Sequence, residues 1–319
     1  MIIICLTTDH FILKFNYFCK RFDTLRSFLP DDLNKSTNLN FKSLGNFMKY
    51  CSNGKSEENE CKTDLDKIKG GCLWLFEQLF VKNKNSINMA EYIIIWLSYM
   101  LNQKTHEGIN NLNDFYTKHI ENNTYYNQCD NDGQDCSDKL KNNTEYTNYK
   151  EIIDKKINFM AIGINDMSKF YGAFKSLCKM YTEIGGEDTQ NKKYLENSKN
   201  FVKKYDELNV SDITKDSAYY QALSTLSSDY NNYKNYCKDN KFNCDDIQPL
   251  SPINIKENSV QDSGHISEVT SSSSSITSKL IPILSIIVAI PIFLGIFYKV
   301  NNKELKNHFR DYMQLSKNV

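Results

Sequence analysis

Few residue groups in this sequence have the types and spacing that chemistry requires. "NGKS" at Asn53–Ser56 ends like a phosphate-cradling loop, but that pattern needs a Gly five residues before Gly54, where Lys49 stands. No strand leads into it either, so a surface turn is expected. "DNDGQD" at Asp130–Asp135 clusters carboxylates as a calcium loop does. A calcium loop places Gly sixth and Glu twelfth; here Gly133 is fourth and Lys141 takes the last place. The five histidines, His10, His106, His119, His265 and His308, are dispersed and show no paired zinc spacing. His119 shares a helical face with Leu112 and Phe115, which favours packing over ligation. No C-x-x-C, G-x-S-x-G or G-x-G-x-x-G occurs, so nothing nominates a catalytic constellation. The chain reads as non-enzymatic, with no cofactor and no metal site.

The ten cysteines are the remaining reactive groups. Three pairs close short polar loops: Cys51 with Cys61, Cys129 with Cys136, and Cys237 with Cys244. An oxidising compartment would join them; buried free thiols are the other common fate of such residues. Beyond these three pairs the connectivity stays open. Asn34, Asn122, Asn142 and Asn209 match N-x-S/T, as chance alone produces in a chain rich in Asn, Ser and Thr.

The elements that must position these residues begin with an apolar stretch near the C-terminus. Leu280–Tyr298 contains no charged or amide side chain. Roughly 20 apolar residues at 1.5 Å each cross a bilayer, so a single transmembrane helix is expected over 280–298. Lys299, Lys303, Lys306 and Arg310 crowd the tail, whereas Asp245 to Ser278 holds only Lys256. The positive-inside rule then places the tail in the cytosol and the larger part outside. The opening "MIIICLTTDHFILKF" is apolar but lacks a basic start and is interrupted at Asp9 and His10, which suits no signal peptide.

Net charge is zero, which gives no electrostatic reason to propose nucleic acid as a partner. Apolar residues make up 40% of the chain, 13% of it aromatic, enough for a real core. Only 12 Gly and 5 Pro are present, too few for a turn-dense β domain. Helical periodicity is seen instead. Leu65, Ile68, Cys72, Leu75, Phe76 and Leu79 recur at three- and four-residue steps, with Asp64 placed to cap the start. Gly70 and Gly71 within that helix invite close approach by a neighbour. "EYIIIWLSYML", Glu91 to Leu101, is apolar all round yet too short to span, so it is expected as a central buried helix.

Met167, Phe170, Tyr171, Phe174, Leu177, Cys178 and Tyr181 form the clearest stripe, between Asn165 and the pair Gly185–Gly186. Two more stripes follow, from Tyr194 to Leu208 and from Tyr219 to Tyr233. Shorter helices are expected over Arg21–Phe28, Phe41–Tyr50 and Leu112–Ile120. Nothing alternates with period two, so no sheet is expected. Cys129 to Asn143 reads as a polar loop. From Asp245 to Ser278 aromatics vanish and Ser accumulates, the composition of a disordered stalk.

"CKRFDTLRSFLPDDL" (Cys19–Leu33), "GGCLWLFEQLF" (Gly70–Phe80), "EYIIIWLSYMLNQK" (Glu91–Lys104), "FYGAFKSLCKMY" (Phe170–Tyr181) and the Pro-containing span together resemble the Plasmodium interspersed repeat (PIR) proteins, especially those of rodent malaria parasites. The resemblance implies variant antigens with a helical, cysteine-containing ectodomain, exported to infected red cells and acting in immune evasion and host-cell interaction. It implies no catalysis and no cofactor. Such proteins begin only a few residues before the C-x-x-F seen here as Cys19–Phe22, and Met1–Phe18 does not match, as a gene-model artefact would not. Cys5 set aside, nine candidate disulfide cysteines remain: Cys19, Cys51, Cys61, Cys72, Cys129, Cys136, Cys178, Cys237 and Cys244. At least one is then unpaired or intermolecular.

The expected plan is all-α: an unmatched segment 1–18, a helical-bundle ectodomain 19–244, a flexible stalk 245–279, a transmembrane helix 280–298 and a basic cytosolic tail 299–319. Trp74, Phe76, Trp96, Phe170 and Phe174 are expected core aromatics. Binding is expected from the loops around Asn53–Glu60 and Cys129–Asn143, with a host-cell receptor or antibody as partner. The alternative reading is a membrane-anchored scaffold or trafficking protein at the parasite's vacuolar membrane or in the red-cell cytoplasm.

Overall fold

Steps of three and four residues carry most of the architecture. The computed structural model describes residues 2–51, 61–131, 133–184, 193–239 and 244–256, with side chains from residue 11 onward except at Ile184 and Asp239. In chain order the helices are α1 (Ile2–Phe28), α2 (Phe47–Cys51), α3 (Asp64–Phe76), α4 (Met89–Leu101), α5 (Leu112–Phe115), α6 (Thr124–Asn127), α7 (Ser137–Thr144), α8 (Tyr149–Asp154), α9 (Ile164–Ile184), α10 (Lys193–Leu208) and α11 (Ala218–Asp239). Short 3₁₀ or π turns border α2, α3, α5 and α9. The expected spans Phe41–Tyr50 and Leu112–Ile120 are each such a composite, a helix joined to a tighter or wider turn.

At the centre is α4. Every residue from Met89 to Leu101 is buried except Tyr99, whose ring stacks on Tyr171 with centroids 4.4 Å apart. Each large side chain buried this way contributes about 1.5–3 kcal/mol. The α9 stripe faces it: Met167, Phe170, Phe174, Leu177 and Tyr181 are fully buried. Tyr92 stacks on Phe174 at 4.5 Å. The helix α11 closes the other side, and Tyr230 lies nearly parallel to Phe201 of α10 at 4.7 Å.

Helix α3 starts one residue earlier than Asp64 suggests. Thr63 is the cap: its side chain accepts from the Asp66 N–H, and the Asp66 carboxylate accepts from the Thr63 N–H. This reciprocal box satisfies two otherwise unpaired donors and frees Asp64 to pair with Lys104 at 2.7 Å. The two glycines mark close approach. A Cβ on Gly70 would lie 2.8 Å from Cys51 Sγ, and one on Gly71 would lie 2.7 Å from the Trp96 ring.

Three expectations change. The absence of a sheet is corrected by a two-residue hairpin, β1 (Asp130–Asn131) and β2 (Gln134–Asp135), paired antiparallel. The polar loop ends at Cys136, because Ser137–Thr144 is α7. Its single large apolar residue, Leu140, is fully buried, and one anchor per two turns leaves no visible stripe. The stalk cannot begin at 245. Ile247 is buried, and residues 245–256 are strapped onto the body. Tyr230 donates to the Gln248 carbonyl at 2.8 Å, and Asn209 Nδ2 donates to the Pro252 carbonyl at 2.7 Å. The Asn254 N–H donates to Asn209 Oδ1 at 2.8 Å, and Ile213 bridges to Ile255 in parallel.

The remaining stalk, the expected transmembrane helix and the tail lie outside the described residues. Among the described residues no helix is long and apolar enough to cross a membrane.

Candidate functional site

The nine cysteines sort into four bonds and one thiol. Cys19 of α1 joins Cys178 of α9, with Cα atoms 5.1 Å apart and a sequence separation of 159. The short pairs are Cys51–Cys61, Cys129–Cys136 and Cys237–Cys244. Cys72 is free and buried; burial, opposed by a hydrogen bond with Tyr126, pushes its thiol up to about 12, so it stays protonated and inert. The core aromatics Trp74, Phe76, Trp96, Phe170 and Phe174 are all at most 3% exposed. They are structural, and none lines a surface.

The carboxylates and histidines with chemical promise are occupied or apart. Asp130 Oδ1 accepts from Lys49 Nζ at 2.8 Å and from the Gly133 N–H at 2.9 Å. Partial burial opposes them, but these two bonds hold the carboxyl below the usual carboxylate range. Asp135 accepts from the Ser137 N–H and hydroxyl and is likewise lowered. His119 is half-buried against the Phe115 ring. Desolvation first, then Lys69 and Lys118, lower it to about 4, so it is neutral at physiological pH. Among the described residues no three potential ligands converge on a metal position. The "NGKS" turn lies outside the described residues.

Two staples meet on one short helix. Cys129 and Cys136 are buried and bonded, and the Cys136 N–H donates to the Cys129 carbonyl at 3.1 Å. Gly133 has φ +81°, a left-handed value that suits glycine and turns β1 into β2. The hairpin's second strand, Gln134 and Asp135, is exposed. Its base rests on α2: Lys49 reaches Asp130, and Tyr50 donates to Glu77 Oε2 at 2.7 Å while lying against the Asp130 carbonyl. Burial and the Glu77 charge push the Tyr50 phenol far up, so it remains a donor.

Helix α2 then ends at Cys51, which is bonded to Cys61. On that side opens a cavity of about 510 Å³ lined by Asn38, Leu39, Asn40, Phe41, Met48, Cys61 and Lys62. Leu39 is 48% exposed at its rim. Hairpin and cavity thus both border α2, Lys49 reaching the first and Met48 lining the second. Sequence reading nominated the Cys129–Asn143 segment but missed Asn38–Phe41, where nothing in composition or spacing stands out. The Asn53–Glu60 loop, also nominated, lies outside the described residues, although its closing disulfide belongs to this region. Among the described residues the arrangement presents amides, a carboxylate, the Lys62 side chain and an apolar rim.

The sequence pattern of the Plasmodium variant antigen protein Cir/Yir/Bir family matches residues 19–299. A solved structure described as a Plasmodium PIR protein ectodomain superposes with a TM-score of 0.55 at 32% identity, covering 76% of this chain and 99% of that one. No curated protein matches the chain.

Proposed function

Because the chain belongs to the Plasmodium variant antigen family Cir/Yir/Bir, we propose that it is a non-enzymatic surface antigen whose helical body displays changeable loops to host receptors and antibodies. The observation that carries this reading is the Cys129–Cys136 hairpin. Its base is closed covalently and buried, while Gln134 and Asp135 are exposed. Side chains at such a tip can change without disturbing the stripes that fill the core. The cavity beside α2 adds a second, partly apolar contact surface.

In this reading the apolar run at 280–298 anchors the body, and the basic tail faces the cytosol. The body is exported to the infected red-cell surface or the vacuolar membrane, where variation at the loops serves immune evasion. Antibody against residues 19–256, applied to infected cells before and after permeabilisation, tests it. Staining of intact cells that disappears on protease shaving is the expected outcome. Staining only after permeabilisation would replace display with the internal scaffold reading.

A further inference from the structure

Residues 11–18 precede the region that the family pattern matches, yet they are packed as core. Phe15 and Phe18 are fully buried and Ile12 is 3% exposed, while Leu13 on the opposite face is 57% exposed. The Phe15 ring lies 4.2 Å from that of Tyr181 and meets Tyr92 edge-on at 5.9 Å. Phe18 lies 5.6 Å from Tyr92 and 5.8 Å from Phe174. Between them Asn16, also buried, donates Nδ2 to the Tyr181 backbone carbonyl at 2.8 Å.

That last bond is specific in its chemistry. Tyr181 lies in the final turn of α9, where carbonyls remain open to donors from outside the helix. Asn16 supplies a donor from another helix, and its amide would otherwise be a buried polar group without reason to be there. The walls that Phe15 covers have their own duties. Tyr92 donates to Asp229 Oδ2 at 2.5 Å, and Tyr181 donates to the Asp229 carbonyl at 2.7 Å. Water admitted at Phe15 would reach both tyrosines.

We propose that residues 11–18 are a helical plug: an intramolecular ligand seated in an aromatic groove built by α4, α9 and α11. The folded body therefore extends ahead of Cys19, at least as far as Ile12. The groove asks for a helix with aromatic side chains at positions i and i+3 and an amide at i+1, which Phe15, Asn16 and Phe18 provide. A chain that starts at Cys19 presents the same groove unfilled and accepts the segment in trans.

Three variants of the chain lacking its apolar C-terminal stretch test this by thermal melting. Phe15→Ala should lower the midpoint by about 10 °C, Asn16→Ala by less, and Leu13→Ala not at all. Amide exchange at residues 12–18 should be as slow as in the last turn of α9. Separately, a chain starting at Cys19 should bind a synthetic peptide of residues 8–18 saturably, and at least tenfold more weakly when the peptide carries Phe15→Ala. Equal midpoints for Phe15→Ala and Leu13→Ala, with residues 12–18 exchanging as fast as an unstructured peptide, would overturn the plug. So would a Cys19-start chain that melts with the longer one and ignores the peptide. If the shorter chain fails to fold, melting and exchange on the longer one still decide.

Discussion

In the helical centre a tyrosine is a wall with a tether. Tyr92, Tyr181 and Tyr230 are at most 1% exposed, and their hydroxyls are committed to Asp229, Ser198 and the Gln248 carbonyl. At the Cys129–Cys136 hairpin only the base reaches far, to Lys49 and Tyr50 of α2, and the turn is held by local bonds: Gly133 to Asp130, and Ser137 to Asp135. The centre ties residues more than 100 positions apart, as from Tyr92 to Asp229. A change there disturbs several helices at once, whereas a change at the hairpin tip disturbs its own turn. The two regions thus set very different limits on sequence variation within one small protein.

The disulfides offer the largest test of that contrast. Replacing Cys19 and Cys178 together by Ala should cost about 5 kcal/mol, the chain-entropy value for so long a loop, against about 2 kcal/mol for Cys129 with Cys136. Equal losses in denaturant unfolding would erase the distinction. Trp96→Ala should cost about 3–5 kcal/mol, since its ring fills the space against Gly71.

Asp229 sharpens the comparison through pH. Burial first, with the Glu91 charge adding and the Tyr92 and Asn232 hydrogen bonds opposing, raises its carboxyl from 3.8 to about 7. The folded state therefore keeps a proton that the unfolded chain releases. Stability falls as pH rises from about 4 to about 7 and levels off above, with a slope of up to about 1.4 kcal/mol per pH unit. The difference between wild type and Asp229→Asn, measured at several pH values, should show that slope; parallel curves would rule it out.

Asn209→Ala should cost about 1–3 kcal/mol by unpairing the strap and make residues 245–256 the first site of limited proteolysis. Gln134→Ala should stay within about 0.5 kcal/mol of wild type. A larger loss there would mean that the hairpin tip carries part of the fold.

What could be read from the chain alone follows from how each element is held. Helices α4 and α9 bury long runs of apolar residues, so period and burial coincide, and Gly70 and Gly71 announce the contacts they make. Helix α7 has Leu140 as its only large apolar anchor, helped by buried Thr144 and by Asn143, which donates to the Phe80 carbonyl. The strap is held by buried Ile247, by the Tyr230 hydroxyl, by Asn209 and by main-chain groups, which leave no periodic trace; its composition is that of a free linker. Residues 12–18 were obscured by Asn16 and Lys14, polar residues that break an apolar run. Only the Tyr181 carbonyl explains the first of these. At the candidate site the cysteine spacing was visible, but that hairpin and cavity both border α2 depends on tertiary placement.

The strap has a mechanical consequence. Tension applied beyond Lys256 meets the Lys256 N–H bond to the Ile213 carbonyl first, then the Asn209 contacts, then Tyr230 with Gln248. These release in sequence, like a seam, until the pull arrives at Cys244. Its disulfide passes the load to Cys237 on α11 and halts the peeling. The residues 245–256 thereby let out span about 40 Å when extended, a reserve of reach that leaves the helical body intact.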